Sequence, residues 1–196
     1  MAKNIVRHTY RITRKERRED NSHNSFLIFL TGLSGSGKST IANALEQQLF
    51  SEGIKTYVLD GDNVRKGINK DLSFSPEDRS ENNRRIGEVA KLLIDAGLVV
   101  IAAFVAPYKK DRAFIRNTVG AENYFEVFVN TSLEECERRD VKGLYKKARE
   151  GKIKNMTGIS APYEEPEAPG VEVTEKNTVE ESVELIYDTI ANKLRL

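Results

Sequence analysis

An α/β sandwich with a mostly parallel sheet and helices on both faces is the fold class this sequence predicts, on three observations. Short continuous apolar runs, suited to strands buried on both faces, occur at 26–30 and 98–104, and a further strand-like stretch, mostly apolar but broken by Glu126, spans 125–129. Polar, helix-compatible sequence follows each run, the alternation that yields parallel strands with right-handed crossovers. The first run ends in Gly32-Leu33-Ser34-Gly35-Ser36-Gly37-Lys38-Ser39, a glycine-rich stretch joining a strand to a helix, as in P-loop NTPase-like three-layer folds.

The elements follow in order. Residues 1–24 carry Arg7, Arg11, Arg14, Lys15, Arg17 and Arg18 with few apolar anchors. They read as a basic arm, in its simplest form a solvated tail, preceding one domain over 25–196. The segment 39–51 is helical, with Ile41, Ala44, Leu45 and Leu49 on one face. A second strand over 56–59 delivers Asp60-Gly61-Asp62 at its carboxyl end, where open parallel sheets place their ligands. Ser75-Pro76-Glu77-Asp78 starts a helix running to about residue 95: Ser75 caps, Pro76 suits the first turn, and Asp78 closes a capping box. Residues 140–168 turn Lys- and Arg-rich, then Pro-rich, as a mobile lid over a site does. A short strand at 171–173 and a helix capped by Thr178, with Glu181 three residues on, complete the pattern.

Composition sets limits on function. A chain of 196 residues with 39% hydrophobic content buries a full core as one domain. Its 31 basic and 30 acidic residues leave a net charge of +1, too small a field to draw it onto nucleic acid or membrane. No apolar run approaches the ~18 residues of a membrane span. Cys136, the single cysteine, has no partner in the chain and no zinc-like neighbour spacing, which points to a reducing, cytoplasmic setting. It reads as a lone packed or exposed thiol rather than a nucleophile. His8 and His23 lack metal-ligand spacing, and Tyr124, Phe125 and Phe128 read as strand and core residues.

The glycine-rich stretch fits G-x-x-x-x-G-K-[ST] at every fixed position. Backbone N–H groups from Gly32 to Thr40 and the following helix terminus would cradle the phosphates of ATP. Lys38 would bridge the β- and γ-phosphates and Ser39 would ligate Mg2+. A guanine reader of the Asn-Lys-x-Asp kind is missing, because Asn69-Lys70-Asp71-Leu72 has its aspartate one position early. The third strand ends in Ala102-Ala103-Phe104 without an acid, so the carboxylates for magnesium and for a proton are expected from Asp60 and Asp62. The competing reading of Asp60-Gly61-Asp62-Asn63 is an ordinary turn. Arg65, Arg79, Arg84 and Arg85 are dense enough to clamp anionic oxygens, although some of them are expected to be solvated or in helix ion pairs.

Taken together these residues resemble the adenylylsulfate kinase family, which phosphorylates the 3′-hydroxyl of adenosine 5′-phosphosulfate with ATP in sulfate assimilation. The resemblance rests on the phosphate loop through Thr40, on Leu59-Asp60-Gly61-Asp62-Asn63-Val64-Arg65, and on Phe74-Ser75-Pro76-Glu77-Asp78-Arg79 with Glu81-Asn82. Arg84 to Ala90, Asp140 with Lys142-Gly143-Leu144-Tyr145, and Thr157-Gly158-Ile159 with Pro162-Tyr163-Glu164 and Pro166 add to it. It implies that Asp62 faces the acceptor hydroxyl and that Asp60 helps to hold the magnesium shell. Arg65, Arg79 and Asn82 would grip the acceptor, Phe74 would stack on its adenine, and Phe104, Val105 and Ala106 would line it. Lys142 and Leu144 would close over it from the lid, while Arg138 or Arg139 would lie against the ATP adenine. The resemblance also implies a homodimer.

Two positions depart from the family pattern. Ala106 in Ala103-Phe104-Val105-Ala106-Pro107-Tyr108 stands where many members carry a serine to which a phosphoenzyme role has been assigned. With no hydroxyl there, direct in-line transfer is the expected route. Met156 stands where a phenylalanine often stacks on the acceptor adenine, which predicts a looser sandwich. Two other readings stay open on sequence: a related kinase for another small alcohol such as a sugar acid, a nucleoside or shikimate, and a nucleotide-binding regulatory module without turnover.

Overall fold

The computed structural model describes Val6 and residues 8–196; Arg7 of the expected arm lies outside the described residues. In chain order the elements are α1 (Arg14–Asn21), β1 (Leu27–Thr31), α2 (Lys38–Ser51), β2 (Thr56–Asp60), α3 (Gly61–Arg65), α4 (Pro76–Asp95), β3 (Val99–Ala103), α5 (Lys109–Val119), β4 (Tyr124–Asn130), α6 (Leu133–Arg139), α7 (Leu144–Arg149), β5 (Val171–Thr174) and α8 (Val179–Leu194). The strands form one parallel sheet in the order β2-β3-β1-β4-β5. Every residue of β1 and β3 is buried, and a central parallel strand with no solvent face has to read as an unbroken apolar run.

Alternate residues of these strands feed two cores. On one face Ile28, Leu30, Ile101 and Val127 meet Leu45 and Leu49 of α2 and Ile186 and Ile190 of α8. On the other, Leu27, Phe29 and Val100 meet Ile86, Ala90 and Ile94 of α4 and Ile115 of α5. Each fully buried Leu or Ile contributes about 1.5–3 kcal/mol by removing apolar surface from water. The chain runs from β1 out to β2, returns through β3, and then crosses to β4 on the other side of β1. That reversal opens a crevice at the carboxyl end of β1, the place where such sheets hold ligands.

Local chemistry fixes the helix ends. Ser75 Oγ accepts from Asp78 N–H at 3.1 Å, and α4 ends at Asp95. Asp78 does not close the expected box: its carboxylate instead accepts from the Ser73 N–H at 2.8 Å and from the Ser73 hydroxyl. The preceding turn curls back over the helix start and takes the carboxylate for itself. The box at α8 does form, with Glu181 N–H donating to Thr178 Oγ1 at 3.1 Å and Thr178 N–H to Glu181 Oε2 at 2.8 Å.

The expected solvated arm needs correction over residues 13–24. Thr13 N–H donates to Glu16 at 2.5 Å in a capping box that starts α1. Arg14 and Arg18 both reach the Ser25 carbonyl, and Arg14 also donates to Asn123 Oδ1 at 2.7 Å. Burial and the neighbouring Arg18 hold the Arg14 guanidinium down at about 10. His23 is buried; Lys55 N–H donates to its Nε2 at 2.9 Å, which leaves Nδ1 to donate to the Asn24 carbonyl. Histidine here is a structural link between the start of β1 and the start of β2.

The lid over 140–168 is likewise more built than expected. It contains α7, and its second half is tied to the end of the sheet: Tyr163 Oη lies 2.8 Å from Thr31 Oγ1, and Glu164 N–H donates to the Pro107 carbonyl at 2.8 Å. Among the described residues no helix is long and apolar enough to cross a membrane.

Candidate active site

Gly32 leaves β1 with φ +156°, and a Cβ there would sit 2.4 Å from the Val129 carbonyl oxygen of β4. Two backbones approach too closely for any side chain, so Gly32→Ala is expected to lower stability by about 1–3 kcal/mol through overpacking. A thermal melt showing no loss would contradict the contact. Gly37, with φ +105°, caps α2 and turns the loop back over its start. The helix begins at Lys38, and the Lys38 ammonium folds back to donate to the carbonyls of Leu33 at 2.6 Å and Gly32 at 3.0 Å. Burial lowers its pKa to about 8, and Lys142 pushes the same way. The loop is braced from behind by Thr131 Oγ1 on the Ser36 carbonyl at 2.9 Å and Tyr145 Oη on the Ser34 carbonyl at 2.8 Å.

Across from the loop, β2 ends at Asp60, whose Oδ1 accepts from Asp62 N–H at 2.9 Å as the cap of α3. Its other oxygen accepts from Ser39 Oγ at 2.6 Å. The ordinary-turn reading is thereby replaced by a helix start, which projects Asp62 into the cleft. There Asp62 pairs with Lys142, which comes from the segment between α6 and α7.

One cleft of about 320 Å³ joins these groups. Lys38, Ser39, Asp60 and Asp62 line it together with the loop residues Ser34, Gly35, Gly37 and Thr40. On its far side stand Arg65, Phe74, Arg79 and Asn82, then Phe104, Val105 and Ala106, with Lys142 above. Arg65 lies 4.4 Å from the centre of the Phe74 ring and Arg79 5.8 Å, yet the ring remains 61% exposed and open to a planar ligand. Burial depresses the pKa of both guanidiniums, and Arg79 adds to the effect on Arg65. Two half-buried cations side by side form a site that an anion relieves. Arg79 donates to Thr157 Oγ1 at 2.9 Å and to the Asn155 carbonyl at 2.8 Å, so it also ties the lid to α4. Arg84 and Arg85 pair with Glu81, Arg85 also with Asp71, on the outer surface, the solvated fate expected for part of the arginine group.

Ala106 holds φ at +41° and is 3% exposed. Arg112 keeps it there, donating to the Ala106 carbonyl at 2.8 Å while pairing with Glu126 at 3.2 Å. Strained backbone at a cleft wall persists when its surroundings over-determine it, as here.

Several expected residues fall elsewhere. Met156 is 7% exposed and packs with Cys136 and Tyr145 beneath the phosphate loop, so the structure does not bring it to the cleft as a stacking partner. Leu144 packs against the same cluster and not along the acceptor side. The adjacent arginines both pair with Glu135 but differ in helix phase: Arg139 Nη1 reaches within 3.4 Å of the Gly35 and Ser36 carbonyls, while Arg138 is exposed. Cys136 is buried, and burial pushes its thiol pKa up, away from reactivity. Asn83, Pro107 and Val141 also line the cleft without having been singled out. Pro107 and Val141 carry no polar side chain to signal a role, and Asn83 donates to Asp111 Oδ2 at 3.3 Å.

Comparison with known proteins agrees with this geometry. The family model described as Adenylylsulphate kinase matches residues 24–174. The adenylyl-sulfate kinase of Staphylococcus epidermidis is 57% identical over 183 residues, covering 93% of this chain and 92% of the relative. That of Yersinia pestis is 50% identical over 190 residues, covering 97% and 89%. Among solved structures, the APS kinase CysC of Mycobacterium tuberculosis in complex with AMPPNP and APS superposes with a TM-score of 0.83 at 44% identity, covering 86% of this chain and 98% of that one. A sugar kinase from Janibacter, at 19% identity and a TM-score of 0.56, shares the fold alone. Nearly full-length identity to several such enzymes, on a chain whose phosphate loop and paired aspartates share one cleft, establishes that this protein belongs to the adenylylsulphate kinase family.

Proposed function

We propose that this enzyme transfers the γ-phosphate of ATP directly to the 3′-hydroxyl of adenosine 5′-phosphosulfate, giving ADP and 3′-phosphoadenosine 5′-phosphosulfate for sulfate assimilation in the cytoplasm. The observation that carries the reading is the shared cleft, in which the loop holding Lys38 faces Asp62 with an arginine-lined pocket beyond. The loop amides and the start of α2 hold the triphosphate, and Arg139 stands where it can pack against the nucleotide. Ser39 and Asp60 supply hard oxygen donors 2.6 Å apart, a set that suits magnesium, which keeps most of its shell as water and phosphate oxygen. Magnesium bound there would neutralise charge on the β- and γ-phosphates. Asp62 accepts or orients the proton of the attacking hydroxyl. Lys142 leaves Asp62 as the acceptor enters and turns to its anionic group, beside Arg65 and Arg79. Phe74 offers its open face to the adenine. Ala106 carries no nucleophile, so no covalent intermediate forms on that wall. We also propose a homodimer as the working assembly.

Mixing the enzyme with ATP, Mg2+ and adenosine 5′-phosphosulfate tests the reading. ADP and the 3′-phosphorylated product are expected in equal amounts; ADP release only with a sugar acid, a nucleoside or shikimate would assign the site to another acceptor.

Lys38 adds a pH signature. Burial holds its pKa down to about 8 against 10.5 for a free lysine, so its share of stability rises as pH climbs from 8 towards 10.5. Bound phosphates favour the ammonium, so ATP binding at about pH 9 is expected to take up a proton and at about pH 6 to take up none from this group. Calorimetry in buffers of different ionisation enthalpy reads the uptake; no proton uptake at about pH 9 would contradict the assignment.

A further inference from the structure

We propose that Asn69 is a positioning residue for acceptor binding, fixing the side-chain amide of Asn82 so that Asn82 presents an N–H donor to the cleft. The inference rests on the reading of Asn82 as an acceptor contact. Asn69 lies between α3 and α4 and is fully buried, and Asn82 on α4 is 4% exposed and lines the cleft. Asn69 Nδ2 donates to Asn82 Oδ1 at 3.0 Å. With its oxygen turned inward to accept, the Asn82 amide has only its Nδ2 hydrogens left for a ligand.

A second observation shows that this pair is held at some cost. Asn69 Oδ1 is buried with no hydrogen-bond partner among the described residues. Such an atom is rare in a folded protein and calls for a reason. Flipping both amides keeps their mutual bond but strands the Asn69 N–H donors, and orphaned buried donors are rarer than orphaned acceptor oxygens. Flipping only one sets two oxygens or two amino groups face to face. The observed arrangement is therefore the better of the available pairings, and it is the one that aims a donor outward. The backbone agrees, since Asn69 N–H is anchored to the Val64 carbonyl at 2.9 Å, which locks the turn behind α3. Asn69 thus sits too deep to touch the acceptor and acts through Asn82. Its place in a short polar run, Asn69-Lys70-Asp71, gives no hint of this role, because turn formation explains an asparagine there equally well.

A double-mutant cycle on the full-length enzyme tests the proposal. Asn69→Leu keeps the branched shape, at a larger volume, and removes the hydrogen bond; the acceptor KM is expected to rise roughly tenfold, with the ATP KM unchanged. Asn82→Ala is expected to raise the acceptor KM at least as much, and adding Asn69→Leu to it to change nothing further. Additive effects, or an acceptor KM unmoved by Asn69→Leu while Asn82→Ala raises it, would overturn the positioning role. If Asn82→Ala itself leaves the acceptor KM unchanged, the failure lies in the reading of Asn82 and takes the inference with it. Should Asn69→Leu not fold, side-chain amide NMR on the unmutated enzyme decides: acceptor binding is expected to shift the Asn82 NH2 signals and leave those of Asn69 slow to exchange. Fast-exchanging Asn69 amide protons in the free enzyme would contradict the bond.

Discussion

Asp62→Asn is expected to lower kcat by about 10²–10⁴-fold while ATP binding is retained, because the amide is nearly the same size but cannot take a proton. Asp62 lies at the start of α3, on a different element from the loop backbone that would hold the triphosphate, so nucleotide affinity is expected to change far less than kcat. The substitution also removes the charge partner of Lys142. That exposed pair contributes little to stability, so the melting temperature is expected to stay within a few degrees of the original. Single-turnover kinetics with nucleotide binding measured separately would show the split. An active Asp62→Asn enzyme would remove the general-base role, and loss of ATP binding would make Asp62 part of the nucleotide site.

The second large effect is expected at Lys38. Methionine there keeps the stem and removes the charge, so kcat is expected to fall about 10²–10³-fold, the range for losing one group that stabilises developing charge. Stability is expected to move the other way. The ammonium is buried and its pKa held down to about 8, a sign that the folded state disfavours the charge. Removing it should therefore leave the melting temperature at pH 7 unchanged or raised. A mutant that loses activity and stability together would place Lys38 in the fold rather than in the chemistry. The proton uptake expected on ATP binding should vanish in the same mutant.

How much of this was legible in the sequence depends on how local the cause is. β1 and β3 could be read because burial on both faces leaves no polar position to interrupt the run. The phosphate loop could be read because its backbone geometry needs glycine at fixed places, most sharply at Gly32 against the Val129 carbonyl. The start of α1 carries a local signal, Thr13 and Glu16 spaced as a capping box, but the surrounding arginines read as a solvated stretch. Those arginines find their partners only after folding, at Ser25 and at Asn123, which lies 109 residues beyond Arg14. Asp78 was assigned to the wrong partner because the course of the turn at Ser73 is not written in the helix that follows it.

The site divides in the same way. The meeting of Lys38, Ser39, Asp60 and Asp62 in one cleft is legible because the phosphate loop follows β1 and Asp60 ends β2, strand ends whose position in the sheet is predictable. Lys142 reaches Asp62 across 80 residues, and only the resemblance to a family indicated it. Met156 and Leu144 were placed in the cleft by their neighbours in sequence, yet both turn towards Cys136 and Tyr145. Which way a side chain leaves an irregular segment has no period to betray it, whereas the phase of α6 separates Arg138 from Arg139 as soon as the helix is seen.

The central claim is that the phosphoryl group passes straight from ATP to the alcohol within one cleft, with no enzyme-bound stop. Turnover of ATP made chiral at its γ-phosphorus by oxygen isotopes tests this most directly. The account predicts a 3′-phosphate of inverted configuration, the outcome of one in-line displacement. Retention, the product of two displacements through a phosphorylated side chain, would contradict it.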